Sequence, residues 1–171
     1  KGMYHHILAA KNSITIQDIE MYIDLWNWKE LAENPKTDWN DKNVFKLFLE
    51  NGDGSVWSNI SEKAPVESIK SVIHLYAEYW NWSKLTERFD DNFINEQIEK
   101  FDWDFEELSY KEKELVISLL SNINLKDRDW DWNYLSKNLP DEFIEKHIDD
   151  FAWDFYLITE IKSSILRNLL S

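Results

Sequence analysis

The chain has 171 residues, of which 43% are hydrophobic and 15% aromatic, with ten Trp and no Cys. Nineteen basic side chains against thirty-three acidic ones leave a net charge of −14; this disfavours nucleic acid and anionic membrane surfaces, whose phosphates are neutralised by Lys and Arg. Three Gly and three Pro are too few for the turns of a many-stranded β protein or a Trp-Asp propeller, so the composition points to helix.

In chain order, Tyr4 to Ala10 read as the tail of an incoming helix. Ser13 or Thr15 starts the next, which carries Ile16, Ile19, Tyr22, Ile23 and Leu25 into Trp26-Asn27-Trp28 and Leu31-Ala32. Ala32-Glu33-Asn34-Pro35 ends a short helix. Residues 36–50 are expected as its partner, with Trp39, Val44, Phe45, Leu47 and Phe48 on one apolar face. Gly52 and Gly54 close that helix in the left-handed conformation that glycine adopts at low cost. Ser55-Val56-Trp57-Ser58-Asn59-Ile60-Ser61 comes next, and Pro65 opens a helix that buries Ile69, Val72, Ile73 and Tyr76.

From residue 80 one pattern becomes regular. Trp80-Asn81-Trp82 leads to Leu85-Thr86, Trp103-Asp104-Phe105 to Leu108-Ser109, Trp130-Asp131-Trp132 to Leu135-Ser136, and Trp153-Asp154-Phe155 to Ile158-Thr159. With Trp26 these make five copies of Trp, Asp or Asn, aromatic, two free positions, an aliphatic and usually a small hydroxyl residue. The stretch from Ser55 is a degenerate sixth. Copies start near 26, 55, 80, 103, 130 and 153, and both 130 − 80 and 153 − 103 equal 50, so a two-hairpin block has been duplicated.

Each motif reads as a helix start. Asn27, Asn81, Asp104, Asp131 and Asp154 are expected to cap the first free backbone N–H groups. The preceding Trp packs on the aliphatic residue five positions on, as a hydrophobic staple. Glu30 and Glu107 stand where a carboxylate completes a capping box. After Trp80 the residues Phe93, Ile94, Ile98 and Phe101, and after Trp130 their counterparts Phe143, Ile144, Ile148 and Phe151, keep to one helical arc. Each repeat is therefore a short helix, a turn and a longer helix. Such hairpins bury their apolar faces only by stacking, so the expected fold is all-α: a solenoid of short α-hairpins, one array over residues 1–171. Neither end resembles a polar cap, which suggests a segment of a longer protein.

These residues resemble the tryptophan-rich short helical repeats, with a Trp-Asp-Trp-x-x-Leu-Ser signature often followed by Asn-Pro, of some large bacterial and giant-virus proteins. The resemblance covers roughly residues 16–171, and Leu31-Ala32-Glu33-Asn34-Pro35 matches the extended form. Val56, Phe105 and Phe155 depart from it. It implies a non-catalytic scaffold region joined to other modules, and no catalytic residues.

Candidate chemistry is sparse. Asp102 and Asp104 flank Trp103, and Asp129 and Asp131 flank Trp130, as paired carboxylates do in a sugar site; their recurrence fits helix caps instead. The stretch from Asn51 to Ser55, with Glu62, resembles a calcium loop but has Val56 where the loop needs Gly. His147 lies in an apolar arc at the place of Gln97, where a contact between repeats is expected. His5 and His6 point to different helix faces. Trp39 stands outside the motifs as a core extension or, alternatively, as an exposed aromatic contact for a partner. We therefore expect no enzyme, metal or cofactor. The expected role is a scaffold or protein-interaction region in the cytoplasm, with a protein partner for which charge favours a basic surface. The alternative is a module binding carbohydrate or basic peptide through exposed Trp and acidic residues.

Overall fold

The computed structural model describes residues 6, 9–161, 165, 167–168 and 170–171. Over these residues the chain is helical, built of α-helices of four to nine residues and short 3-10 turns. No strand occurs among them, and a single isolated bridge pairs Ile14 with Thr37. The chain divides into two compact units, Lys1–Arg88 and Phe89–Ser171.

In the first unit α1 (Ile16–Met21) runs into a 3-10 turn (Ile23–Leu25) and α2 (Trp28–Glu33). Then come α3 (Asn43–Asn51), α4 (Val56–Lys63), α5 (Val66–Val72), a 3-10 turn (Ile73–Leu75) and α6 (Trp82–Arg88). The motif helices pack in succession, α2 on α4 and α4 on α6. Val44, Phe45, Phe48, Ile60, Ile69 and Val72 are fully buried between the elements, each stabilising the unit by about 1.5–3 kcal/mol relative to an exposed side chain.

The second unit holds α7 (Asp91–Gln97), α8 (Phe105–Leu108), α9 (Lys113–Leu120) and a 3-10 turn (Ile123–Leu125). It continues with α10 (Trp132–Asn138), α11 (Asp141–Lys146) and α12 (Phe155–Ile161). Here α9 packs on α7 and α10 on α12, over fully buried Ile94, Leu108 and Ile144.

Local chemistry explains where the sequence expectations hold and fail. Thr15 caps α1, and Asp18 completes the box by accepting from the Thr15 backbone N–H at 2.9 Å. Lys11 also pairs with Asp18, whose carboxyl is held below its ordinary value by its hydrogen bonds to Lys11 and Thr15, although burial opposes this. The helix expected through Leu25 stops at Met21, and Met21 and Leu25 are exposed. The partner helix expected over 36–50 begins only at Asn43, because the backbone about Thr37 is engaged in a bridge to Ile14, with Ile14 N–H donating to Lys36 O and Asp38 N–H to Ile14 O.

The glycine expectation is also corrected. Neither Gly52 nor Gly54 has positive φ. Gly52 ends α3 in extended conformation, and a Cβ there would meet the Phe48 carbonyl oxygen at 2.7 Å. Close backbone approach, not handedness, demands glycine. The second helix is the longer one in two repeats, α3 with nine residues after α2 with six and α9 with eight after α8 with four; elsewhere it is not, since α7 equals α6 at seven and α5 and α11 are each one residue shorter than α4 and α10. Of the incoming helix, Tyr4, His5, Ile7 and Leu8 lie outside the described residues, as do Leu166 and Leu169 at the other end.

Candidate functional site

The part of this protein most completely built from the motif is the junction where one copy meets the next. Its first component is the cap. The side-chain oxygens of Asn27, Asn81, Asp104, Asp131 and Asp154 each accept from the backbone N–H three residues on, at 2.9–3.3 Å. Each removes one unsatisfied donor from a helix start. Glu30 accepts from the Asn27 side-chain amide at 2.9 Å rather than from its backbone. In the degenerate copy no side chain caps α4; Asp53 instead accepts from the Ser55 N–H and hydroxyl.

The second component is the leading indole. Trp26, Trp80, Trp103, Trp130 and Trp153 are 3–7% exposed. Their Nε1–H groups donate to the carbonyls of Ile19, Ile73, Gln97, Leu125 and His147 at 2.8–3.1 Å. These carbonyls lie at or near the end of the preceding helical segment, where four-residue helical bonding gives out; those of Gln97, Leu125 and His147 also accept the backbone N–H three residues on. At His147, the residue that closes α11, the carbonyl accepts both the Asp150 N–H, in a turn at 3.1 Å, and the Trp153 indole at 2.8 Å. The same arrangement ends α7 at Gln97, whose carbonyl accepts from Trp103.

The third component couples consecutive copies. The closing hydroxyl residue of one motif accepts the backbone N–H of the next motif's cap residue: Asn81 to Ser61 at 3.0 Å, Asp131 to Ser109 at 2.9 Å, and Asp154 to Ser136 at 2.9 Å. Ser61 and Ser109 in turn donate to the carbonyl four residues back, Trp57 and Phe105. Ser61, Thr86, Ser109 and Ser136 are all buried, at 0–1% exposure. A backbone donor buried at a helix start thus finds an acceptor in the preceding repeat, where an empty partner would cost about 1–3 kcal/mol.

The fourth component is an aromatic pair. The motif's second aromatic meets the next copy's leading Trp edge to face: Trp57 with Trp80 at 5.0 Å and 78°, Phe105 with Trp130 at 5.1 Å and 78°, and Trp132 with Trp153 at 5.4 Å and 81°. The degenerate copy has Ser55 in place of a leading Trp, and Phe48 of α3 takes the role, meeting Trp28 at 5.2 Å and 82°. Such pairs add about 0.5–1.5 kcal/mol beyond burial. Arg88 ties α6 to α4 by donating to the carbonyls of Ser61 and Ala64. Trp82 donates to Ala77 O at 3.0 Å.

The remaining sequence candidates fall as follows. Trp39 is 6% exposed, stacked on Phe48 and tilted against Phe45, both at 5.1 Å; it is a core residue, not an exposed contact. His147 Nδ1 lies 2.7 Å from Asp150 and its ring 4.6 Å from Phe143. Among the described residues no three His, Asp or Glu side chains gather as a metal set, and Glu62 pairs with Lys63. No described helix is long and apolar enough to cross a membrane.

One open groove of about 690 Å³ collects Glu106, Asp129, Asp131 and Asp154 beside Trp130 and Trp132. Tyr110 donates to Asp131 at 2.6 Å. This bond is the main cause holding the Asp131 carboxyl below its ordinary value, and it pushes Tyr110 up to about 12.

Comparison with family models, curated proteins and solved structures finds no match for this chain. What the sequence reading missed is the carbonyl partner of each indole and the purpose of the closing hydroxyl. The only signal for either was recurrence, because both partners lie in another element.

Proposed function

We propose that this protein is a non-catalytic scaffold or protein-interaction region, a solenoid of stacked short hairpins that presents side chains to a partner. The observation that carries the reading is the use of the motif's recurring groups. Caps, leading indoles, second aromatics and hydroxyls bond or pack within and between repeats, so the motif serves assembly of the array and not a reaction. Recurrence of the flanking carboxylates supports the same reading, since Asp104, Asp131 and Asp154 act as caps. A charge of −14 and the groove holding Glu106, Asp129, Asp131 and Asp154 favour a basic protein surface as partner. Carbohydrate is the lesser fit, because the leading tryptophans are buried and the groove leaves to it only the half-buried second aromatic Trp132.

The test is retention of partners from source-cell lysate by the chain and by a Glu106→Lys, Asp129→Lys variant, at low and moderate salt. The proposal expects a reproducible protein partner that the variant loses while its circular dichroism stays unchanged. Equal retention by both chains removes the groove from the interface; retention of nothing by the folded chain makes it a spacer.

A further inference from the structure

The motif on α12 is built like those before it, but its junction is open. Asp154 caps the helix, accepting from Leu157 N–H at 3.0 Å. Its N–H is held by Ser136, and Trp153 pairs with Trp132. The incoming half of the junction is therefore complete. The outgoing half is not. Phe155, the second aromatic, is 56% exposed, whereas Phe105, fifty positions earlier, is 8% exposed. Tyr156 beside it is 71% exposed. Thr159, in the place of the buried Ser109, is also exposed. Its hydroxyl already donates to Tyr156 O at 2.8 Å, which leaves its lone pairs available as acceptors, as Ser109 donates to Phe105 O while accepting Asp131 N–H.

We propose that the α12 face, Phe155 with Thr159, is a docking surface for one kind of partner: a helix start of the same type, led by Trp and capped by Asp or Asn. The Trp edge would meet the Phe155 ring, and the N–H of the cap residue would bond the Thr159 hydroxyl. Continuity with the junctions already described defines the occupant, because the second aromatics Trp28, Trp57, Phe105 and Trp132 each meet a ring at 5.0–5.4 Å. A generic apolar partner would cover Phe155 but leave Thr159 without a donor. Junction geometry carries this docking whether or not the chain is a scaffold.

The test appends an in-register copy of residues 122–171 after Ser171, supplying a Trp130-type motif fifty positions on. A 4-fluorophenylalanine label at position 155 reports the ring, and amide exchange reports the appended copy of the Asp131 N–H. The proposal expects the fluorine resonance to shift and lose solvent accessibility. It also expects protection of the appended cap amide to fall by about tenfold or more in a Thr159→Val variant, a change at an exposed position that leaves the parent fold intact. A fluorine signal unchanged by the extension overturns it. So does protection that is indifferent to Thr159→Val. If the unextended chain self-associates through Phe155 while the appended block stays unfolded, the occupant is a second copy and the proposal falls.

Discussion

The faces of α8 and α12 carry the same motif fifty residues apart, yet one is covered by a further motif and the other is not. Asp104 and Asp154 cap their helices alike, each oxygen 3.0 Å from its amide. Trp103 and Trp153 are both buried, with indoles bonded to Gln97 and His147. Beyond that the faces part. Phe105 is covered by Trp130 and, at 5.4 Å, by the Arg128 guanidinium; Phe155 stays open. The lesson is that the first half of the motif is local, satisfied by its own turn and the helix before it. The aromatic and hydroxyl positions acquire their roles only when a successor arrives.

The largest break in this comparison is removal of the successor's ring. Trp130→Ala deletes a buried indole, its bond to Leu125 and the cover of Phe105, and should cost about 3–5 kcal/mol; urea denaturation measures it, and a midpoint close to that of the parent chain would refute the junction. Phe105→Ala should cost about 3 kcal/mol, while Phe155→Ala should cost about 1 kcal/mol or less because most of that ring already faces water. Equal costs would mean that cover by Trp130 contributes little.

The hydroxyl pair sharpens the contrast further. Ser109→Ala strands the Asp131 N–H and should cost about 1–3 kcal/mol, whereas Thr159→Ala should stay within about 0.5 kcal/mol. Caps should not discriminate between the faces: Asp104→Ala and Asp154→Ala are each expected to cost about 1 kcal/mol.

The smallest effect is one of pH. Tyr110 should ionise at about 12, and Asp131→Ala should return it toward about 10, the value of an unperturbed tyrosine; ultraviolet titration distinguishes the two. Because the folded value is raised, the contribution of this bond is full below the unfolded tyrosine pKa and is lost as pH rises through about 12. For Asp131 the folded value is lowered. Its contribution is present above the unfolded carboxyl pKa and disappears as pH falls through the folded one.

Much of this architecture was legible because short-range physics governs it. A cap and the amide it serves lie three residues apart, so Asn27, Asn81, Asp104, Asp131 and Asp154 could be read directly. The all-helical class came from few turn residues and one-sided apolar spacing. Other features were not legible for equally physical reasons. Trp39 looked like part of a helix because its spacing fits the apolar arc, but the bonds of Ile14 to Lys36 and Asp38 hold the backbone about Thr37 in a bridge just before it. Gly52 suggested a left-handed turn, whereas the constraint was the oxygen of Phe48.

The sequence by itself determined where the capped motif helices start, that their apolar residues keep to one face, and that a block of fifty residues recurs. Tertiary structure alone decided how long each second helix runs, which carbonyl each indole takes, and whether a second aromatic is buried or open. Those outcomes depend on groups brought together from different elements, and the energy of an indole on a helix-end carbonyl or a hydroxyl under a neighbour's amide exists only once the elements have met.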